Sequence, residues 1–243
     1  MALTPRHIYQ VLTKRPDRAP GLRNPGWLWG EVIKTEADSI HRLNPILDLP
    51  AYDGTWPLPN VWLGTSTENQ YWANDRVPKI LACPAVIHFV SCEPLLSSID
   101  LYALRQPSGD VIDGFYGWRE PKTLKRVYGL DQVIVGGESG NSKKIRPMHP
   151  EWARHLRDQT KTAGASYFFK QWGKYRPMTP LEIKSEPYRA KIVSLDPHEQ
   201  QFTRAIKDND AFMIKGSKGG NGNLLDGEVW EEFPTARKET IAS

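Results

Sequence analysis

Five short stretches of the chain run almost unbroken in apolar residues: HIYQVLT at 7–13, NVWLGTS at 60–66, AVIHFVS at 85–91, QVIVGG at 132–137 and SYFFKQW at 166–172. Each has the length of a strand and is rich in β-branched or aromatic residues. A strand with one wet face alternates apolar and polar residues. Runs as continuous as these suit a sheet covered on both faces, which means parallel strands joined by helical crossovers. The intervals supply the helices. Residues 27–43 carry apolar positions at Trp29, Val32, Ile33, Ile40 and Leu43. Residues 70–82 follow Glu68-Asn69, and Pro78 predicts a break or kink there. Residues 149–163 give the clearest pattern: Pro150 suits a first helical position, Trp152 and Leu156 lie four apart, and Gly164 suits a left-handed stop. Strand-helix-strand alternation of this kind predicts an α/β fold.

Two regions break the rhythm. Residues 103–130 form a long insertion rich in Pro and Gly. Residues 176–243 read as a polar C-terminal extension, with a flexible KGSKGGNGN stretch at 215–223 and a closing LLDGEVWEEFP segment. The expected organisation is therefore one α/β domain over 1–175, interrupted by the insertion and followed by the extension.

Composition changes this picture little. With 243 residues, 39% of them hydrophobic, the chain fills one sizeable core and carries a tail. A net charge of +4 permits an acidic partner, nucleic acid included, without demanding one. Cys83 and Cys92 fit no metal or redox spacing, so they read as packing residues in a reducing compartment. No run approaches the length of a membrane span. A cytoplasmic protein without membrane attachment is expected.

The candidate chemistry lies at the trailing ends of the strands. The first ends in Thr13-Lys14-Arg15, the second in Ser66 and Glu68, the third in Ser91 and Glu93. The fourth ends in Gly136-Gly137-Glu138-Ser139, and the fifth in Lys170-Gln171 beside Trp172. In parallel α/β folds ligands bind at that edge. Glu68, Glu93 and Glu138 are expected to face Lys14, Arg15 and Lys170, because a partly dry site needs compensated carboxylates. A ligand pocket and a structural ion-pair network both satisfy this pattern. GGESG lacks the spacing of a nucleotide fingerprint. Trp172 offers either a stacking face or a core residue, and Arg146, in the basic loop 142–147, either a phosphate contact or a solvated cation. The six histidines form no ligand pair, and no metal site or catalytic triad follows from spacing.

Taken together, MALTPRHIYQVLTKRP, NVWLGTSTENQ, RVPKILACPA, HFVSCEPLL, VIVGGESG, IRPMHPEWARHLRDQTKTAG, FFKQWGKY and LLDGEVWEEFP resemble the phage-associated family called gene-product thirty-seven/sixty-eight. The resemblance covers most of 1–175 and 222–234. It implies a radical S-adenosylmethionine type of (β/α) barrel, with that cofactor and a four-iron four-sulfur cluster held by an N-terminal cysteine motif in full-length members. This chain has no CxxxCxxC, and Met1 resembles an internal methionine of that family. The expectation is a partial barrel of about five parallel strands that binds neither group alone. A second polypeptide would complete it, or a second copy would pair through an open sheet edge. It would supply a polar mouth that acts on nucleic acid or a nucleotide. The competing expectation is a non-catalytic module that binds nucleic acid or protein, or a truncated remnant.

Overall fold

The computed structural model describes residues 1, 4, 6–18, 26–43, 57–117, 129–141, 143–196, 206–216 and 221–235, with backbone alone at 26–30. The chain runs through β1 (Tyr9–Thr13), α1 (Gly26–Leu43), β2 (Val61–Ser66), α2 (Gln70–Leu81) and β3 (Ile87–Cys92). A small hairpin follows, β4 (Leu104–Arg105) and β5 (Val111–Ile112), then β6 (Gln132–Gly136), α3 (Pro150–Thr162) and β7 (Ser166–Gln171). Strands β1, β2, β3, β6 and β7 pair in parallel, in that order, as one five-stranded sheet. The order never reverses, so right-handed crossovers place α2 and α3 on one face. Among the described residues β1 and β7 are the two edges, and the sheet is not closed into a barrel.

Strand alternation divides the buried residues. Val90, Cys92, Val133, Val135, Tyr167 and Phe169 face the helices, where Ala73, Val77 and Leu81 of α2 and Trp152 and Leu156 of α3 meet them in the main core. Trp62, Ile87 and Phe89 pack together on the opposite face. Gly64 belongs to that face: a Cβ there would lie 2.5 Å from the Phe89 ring, which therefore covers the bare backbone.

Pro78 does not end α2, which continues to Leu81. The proline leaves the Asn74 carbonyl without its helical donor. Gln106 of the β4–β5 region donates its Nε2–H to that carbonyl at 3.1 Å, which offsets the loss. Helix α3 starts at Pro150 as expected, and His149 caps it by accepting the Glu151 amide on Nδ1 at 3.1 Å. Burial lowers the His149 pKa, which suits the neutral ring that this acceptor role requires. Gly164 takes the left-handed conformation, φ 70°, just beyond the helix.

The two regions outside the strand-helix rhythm belong to the same core. Leu104, Ile112, Phe115 and Leu130 from the 103–130 insertion are buried in the main cluster, and residues 118–128 of it lie outside the described residues. The extension forms β8 (Tyr175–Pro177), α4 (Pro180–Ser185), β9 (Lys191–Val193) and β10 (Ala211–Lys215), then a hairpin of β11 (Leu224–Leu225) and β12 (Glu228–Val229). It lends Val193, Met213 and Leu225 to the core. Within the stretch expected to be flexible, residues 217–220 lie outside the described residues. Beyond β12 the chain lies against β7: Phe169 donates to the Trp230 carbonyl at 2.8 Å, and Glu232 donates to that of Tyr167 at 3.2 Å. Residues 230–232 therefore cover the β7 edge in an antiparallel sense. Among the described residues no helix is long and apolar enough to cross a membrane.

The ends of β6 and β7 approach each other more closely than side chains allow. A Cβ on Gly137 would lie 2.0 Å from the Trp172 carbonyl oxygen. Gly137→Ala should therefore cost about 3 kcal/mol or more, since backbone must move to make room. Gly164→Ala meets no atom and bears only the left-handed strain of about 1–2 kcal/mol. Urea denaturation of both variants checks the ranking, and equal losses would contradict it.

Candidate functional site

Parallel pairing sets the trailing ends in one row. The register runs Thr13 to Thr65, Ser66 to Ser91, Cys92 to Val135 and Gly136 to Gln171. Along that row each of the three carboxylates is held by cations or amides.

Glu68 is the most enclosed, with its side chain 11% exposed. Lys14 donates to its Oε1 at 2.5 Å, and Arg76 of α2 donates to its Oε2 at 3.0 Å. Arg76 is 8% exposed at its side chain, also donates to the Ser66 carbonyl at 2.9 Å, and lies 3.8 Å over the Trp72 ring. Its Nε is buried without a hydrogen-bond partner among the described residues. Burial pushes the Glu68 carboxyl up, but the Lys14 hydrogen bond and charge, a backbone bond and Arg76 outweigh it, so its pKa lies below the ordinary 4.5.

Glu93 reaches across the sheet. Its Oε2 accepts from Lys170 at 2.9 Å and its Oε1 from Gln171 at 2.9 Å. It passes over Gly136, where a Cβ would lie 3.1 Å from the carboxylate. Glu138 accepts from the Arg146 side chain at 3.0 and 3.1 Å and from its backbone amide at 2.8 Å. That fork holds the Glu138 pKa below its ordinary range. The Glu68 charge also bears on Arg146.

The charge pairing departs from expectation at two places. Arg146, not a strand-end lysine, neutralises Glu138, and it is thereby engaged with a carboxylate. Arg15 is exposed and has no carboxylate partner among the described residues; its amide bonds the Thr13 hydroxyl at 3.0 Å. Trp172 turns away from the row. Its indole packs edge-on against Phe169, donates to the Leu224 carbonyl at 2.8 Å and sits in the main core, so it presents no stacking face there. Ser139 is exposed beyond Glu138. Gly137 serves the backbone: it donates to the Gln171 carbonyl at 2.9 Å, while Lys174 donates to that of Glu138 at 2.9 Å.

Ser66 and Ser91 are left in the middle of the row. They are register partners on the face of Trp62 and Phe89, and both are buried as residues. Their hydroxyls make no hydrogen bond among the described residues, whereas their carbonyls are used by Arg76 and by the Thr67 amide. Two hydroxyls on register partners of neighbouring strands, whose backbones lie about 4.8 Å apart, flanked by the Lys14–Glu68 and Lys170–Glu93 pairs, can donate to or accept from one polar ligand. Among the described residues no group of three His, Cys, Asp or Glu side chains is placed to hold a metal ion.

Residues 1–234 match the family described as "Protein of unknown function (DUF5131)". The chain belongs to that family. No curated protein and no solved structure matches it. Its DUF5131 membership covers the sheet, the insertion and the tail as far as residues 230–232, so one family unit contains both the polar row and the strand that covers β7.

Arg76 is the residue of this DUF5131 site that sequence reasoning passed over. A signal existed: position 76 falls in the helical stripe of Ala73, Val77 and Ile80, where a charged residue must be paired. Arg76→Met should cost about 3 kcal/mol by stripping a buried carboxylate of its buried cation. Lys14→Met should cost under about 1 kcal/mol, because Lys14 is 58% exposed. The pH dependence has a definite sign. A depressed carboxylate contributes stability above its unfolded pKa of 4.5, and that stability is lost as pH falls through the lower folded value. Glu68→Gln should therefore flatten the fall of stability below pH 4.5 in chemical denaturation; an unchanged slope would contradict the Glu68 assignment.

Proposed function

We propose that the polar row is a ligand mouth, and that the chain forms the C-terminal wall of a barrel-type active site whose ligand is an anion such as a nucleotide or a nucleic-acid phosphate. The observation that carries the reading is the Ser66–Ser91 hydroxyl pair, free of protein partners among the described residues and set between two lysines at the trailing edge of a parallel sheet. Charge favours an anion. Lys14, Arg15, Arg76, Arg146 and Lys170 outnumber Glu68, Glu93 and Glu138 along the row.

The resemblance to a phage radical-S-adenosylmethionine type of barrel fits the unreversed strand order. The iron–sulfur cluster does not fit the residues present. Cys92 is fully buried against Thr67, and burial pushes its thiol up to about 12, far from a ligating thiolate. Cys83 is buried in a separate cluster beneath α2. We therefore assign cluster and cofactor to a second polypeptide, and to this chain the work of binding and orienting the anion. Lys170 and Lys14 would supply charge, and the serine pair direction.

Calorimetric titration with inorganic pyrophosphate and with adenosine monophosphate at low salt tests the mouth. Lys170→Met should weaken binding about tenfold, ~1.4 kcal/mol, since it removes a cation and leaves Glu93 with only the Gln171 amide. Ser66→Ala with Ser91→Ala should weaken it comparably without loss of stability. Absence of binding, or binding indifferent to both changes, would remove the proposal.

A further inference from the structure

We infer that the free edge of β1 is a docking site for an extended, acidic strand of a partner polypeptide. The inference rests on the wall reading for its setting, since an incomplete wall has to be continued at one side. Of the polar row it uses only Lys14 and Arg15, which the row shares with this edge.

The first observation is backbone geometry. Tyr9 donates to the Asn60 carbonyl at 2.8 Å, and Thr13 gives its carbonyl to the Thr65 hydroxyl at 2.8 Å. Alternation along a parallel pair then turns Tyr9, Val11 and Thr13 toward β2 and turns Gln10 and Leu12 outward. Those outward amides and carbonyls have no hydrogen-bond partner among the described residues. Natural edge strands are usually guarded by charge, bulge or proline. This one instead shows Ile8 at 62% and Leu12 at 50% exposure.

The second observation is the groove beside it, about 510 Å³ in volume. Val11, Leu12 and Leu63 form its apolar part, and Lys14, Arg15 and Arg18 its charged part. No carboxylate lines it, and Arg15 and Arg18 have no carboxylate partner among the described residues. An occupant must bring backbone groups to an open ladder, apolar side chains to the floor and negative charge to the rim. An extended acidic peptide does all three. Nucleic acid has phosphates but no strand backbone to pair with Gln10 and Leu12.

The third observation is the opposite edge. There the chain caps β7 with its own residues 230–232, within the stretch GEVWEEFP, and Lys161 neutralises Glu232 at 2.5 Å. The molecule thus contains one example of an acidic, partly apolar strand closing an edge beside a cation. Among the described residues it leaves β1 as the open side.

The test uses the whole chain and, as probe, a synthetic peptide with the sequence of residues 227–234, GEVWEEFP, added in trans. A control peptide carries Lys in place of its three Glu. Backbone amide NMR should show shifts at Gln10 and Leu12 on titration with the acidic peptide, and the Lys peptide should bind at least tenfold more weakly. Leu12→Pro removes only an outward amide and leaves the bonds to β2 in place, so it should abolish the shifts. Arg18→Glu, at an exposed position, should weaken binding about tenfold and guards against a fold defect in the proline variant. The inference is overturned by no shifts at millimolar peptide; by equal binding of both peptides; by binding that survives Leu12→Pro, which would place the peptide at β7; or by slow exchange of the Leu12 amide in the free protein, which would mean the edge is already filled. Concentration-dependent dimers abolished by Leu12→Pro, or a single-stranded oligonucleotide that shifts the same amides, would also overturn it in favour of a second copy or a nucleic acid. Loss of peptide binding with pyrophosphate binding intact removes the partner alone. The reverse result removes the mouth alone.

Discussion

Parallel pairing is the constraint from which the other features follow. Parallel neighbours point their trailing ends the same way, so five separate sequence motifs become one row of side chains. The row then has to be neutralised locally, because the sheet is buried and its ends are only partly wet. Glu68 shows how far that goes. It is held by a cation from β1 and another from α2, so one carboxylate ties three elements together. The same crowding dictates glycine at 136 and 137: one lets Glu93 pass over the strand, and the other lets two backbones meet.

The sheet was legible because its signal is local. Each strand announces itself by three to five apolar residues within six or seven positions, and α3 announces itself by Pro150, its periodicity and Gly164. What was not legible depends on partners far along the chain. Nothing near Pro78 says that Gln106 will bond the carbonyl it frees. Nothing in a polar tail says that Met213 and Leu225 will be buried beneath it, or that Trp230 and Glu232 will lie along β7. Composition alone gave the insertion and the tail the look of appendages, although their few apolar residues are core residues. Position 172 shows the same limit at the site. A tryptophan at a strand end reads equally as a stacking platform or as core, and the choice rests on Leu224, fifty-two residues away.

The two edges of the sheet are treated differently. At β7 the tail supplies both hydrogen bonds and an acid, and Tyr167, Phe168 and Phe169 gain a covering strand. At β1 the outward amides, two exposed aliphatic side chains and a cationic groove stand together. An edge left open by neglect would be expected to carry polar side chains, since an exposed apolar edge invites aggregation. Among the described residues, the β1 edge combines apolar side chains with backbone groups that have no partner.

Two of the three carboxylates in the row are held away from proton exchange. A general acid or base needs a proton that it can exchange near the working pH, and Glu68 and Glu138 are both held ionised, below their ordinary pKa, by the cations beside them. Cys92 is locked as a thiol. What remains unengaged among the described residues is a pair of hydroxyls, the Arg15 guanidinium and the outer sides of two lysines, which are groups that bind and orient. A row built this way offers position and charge rather than an exchangeable proton.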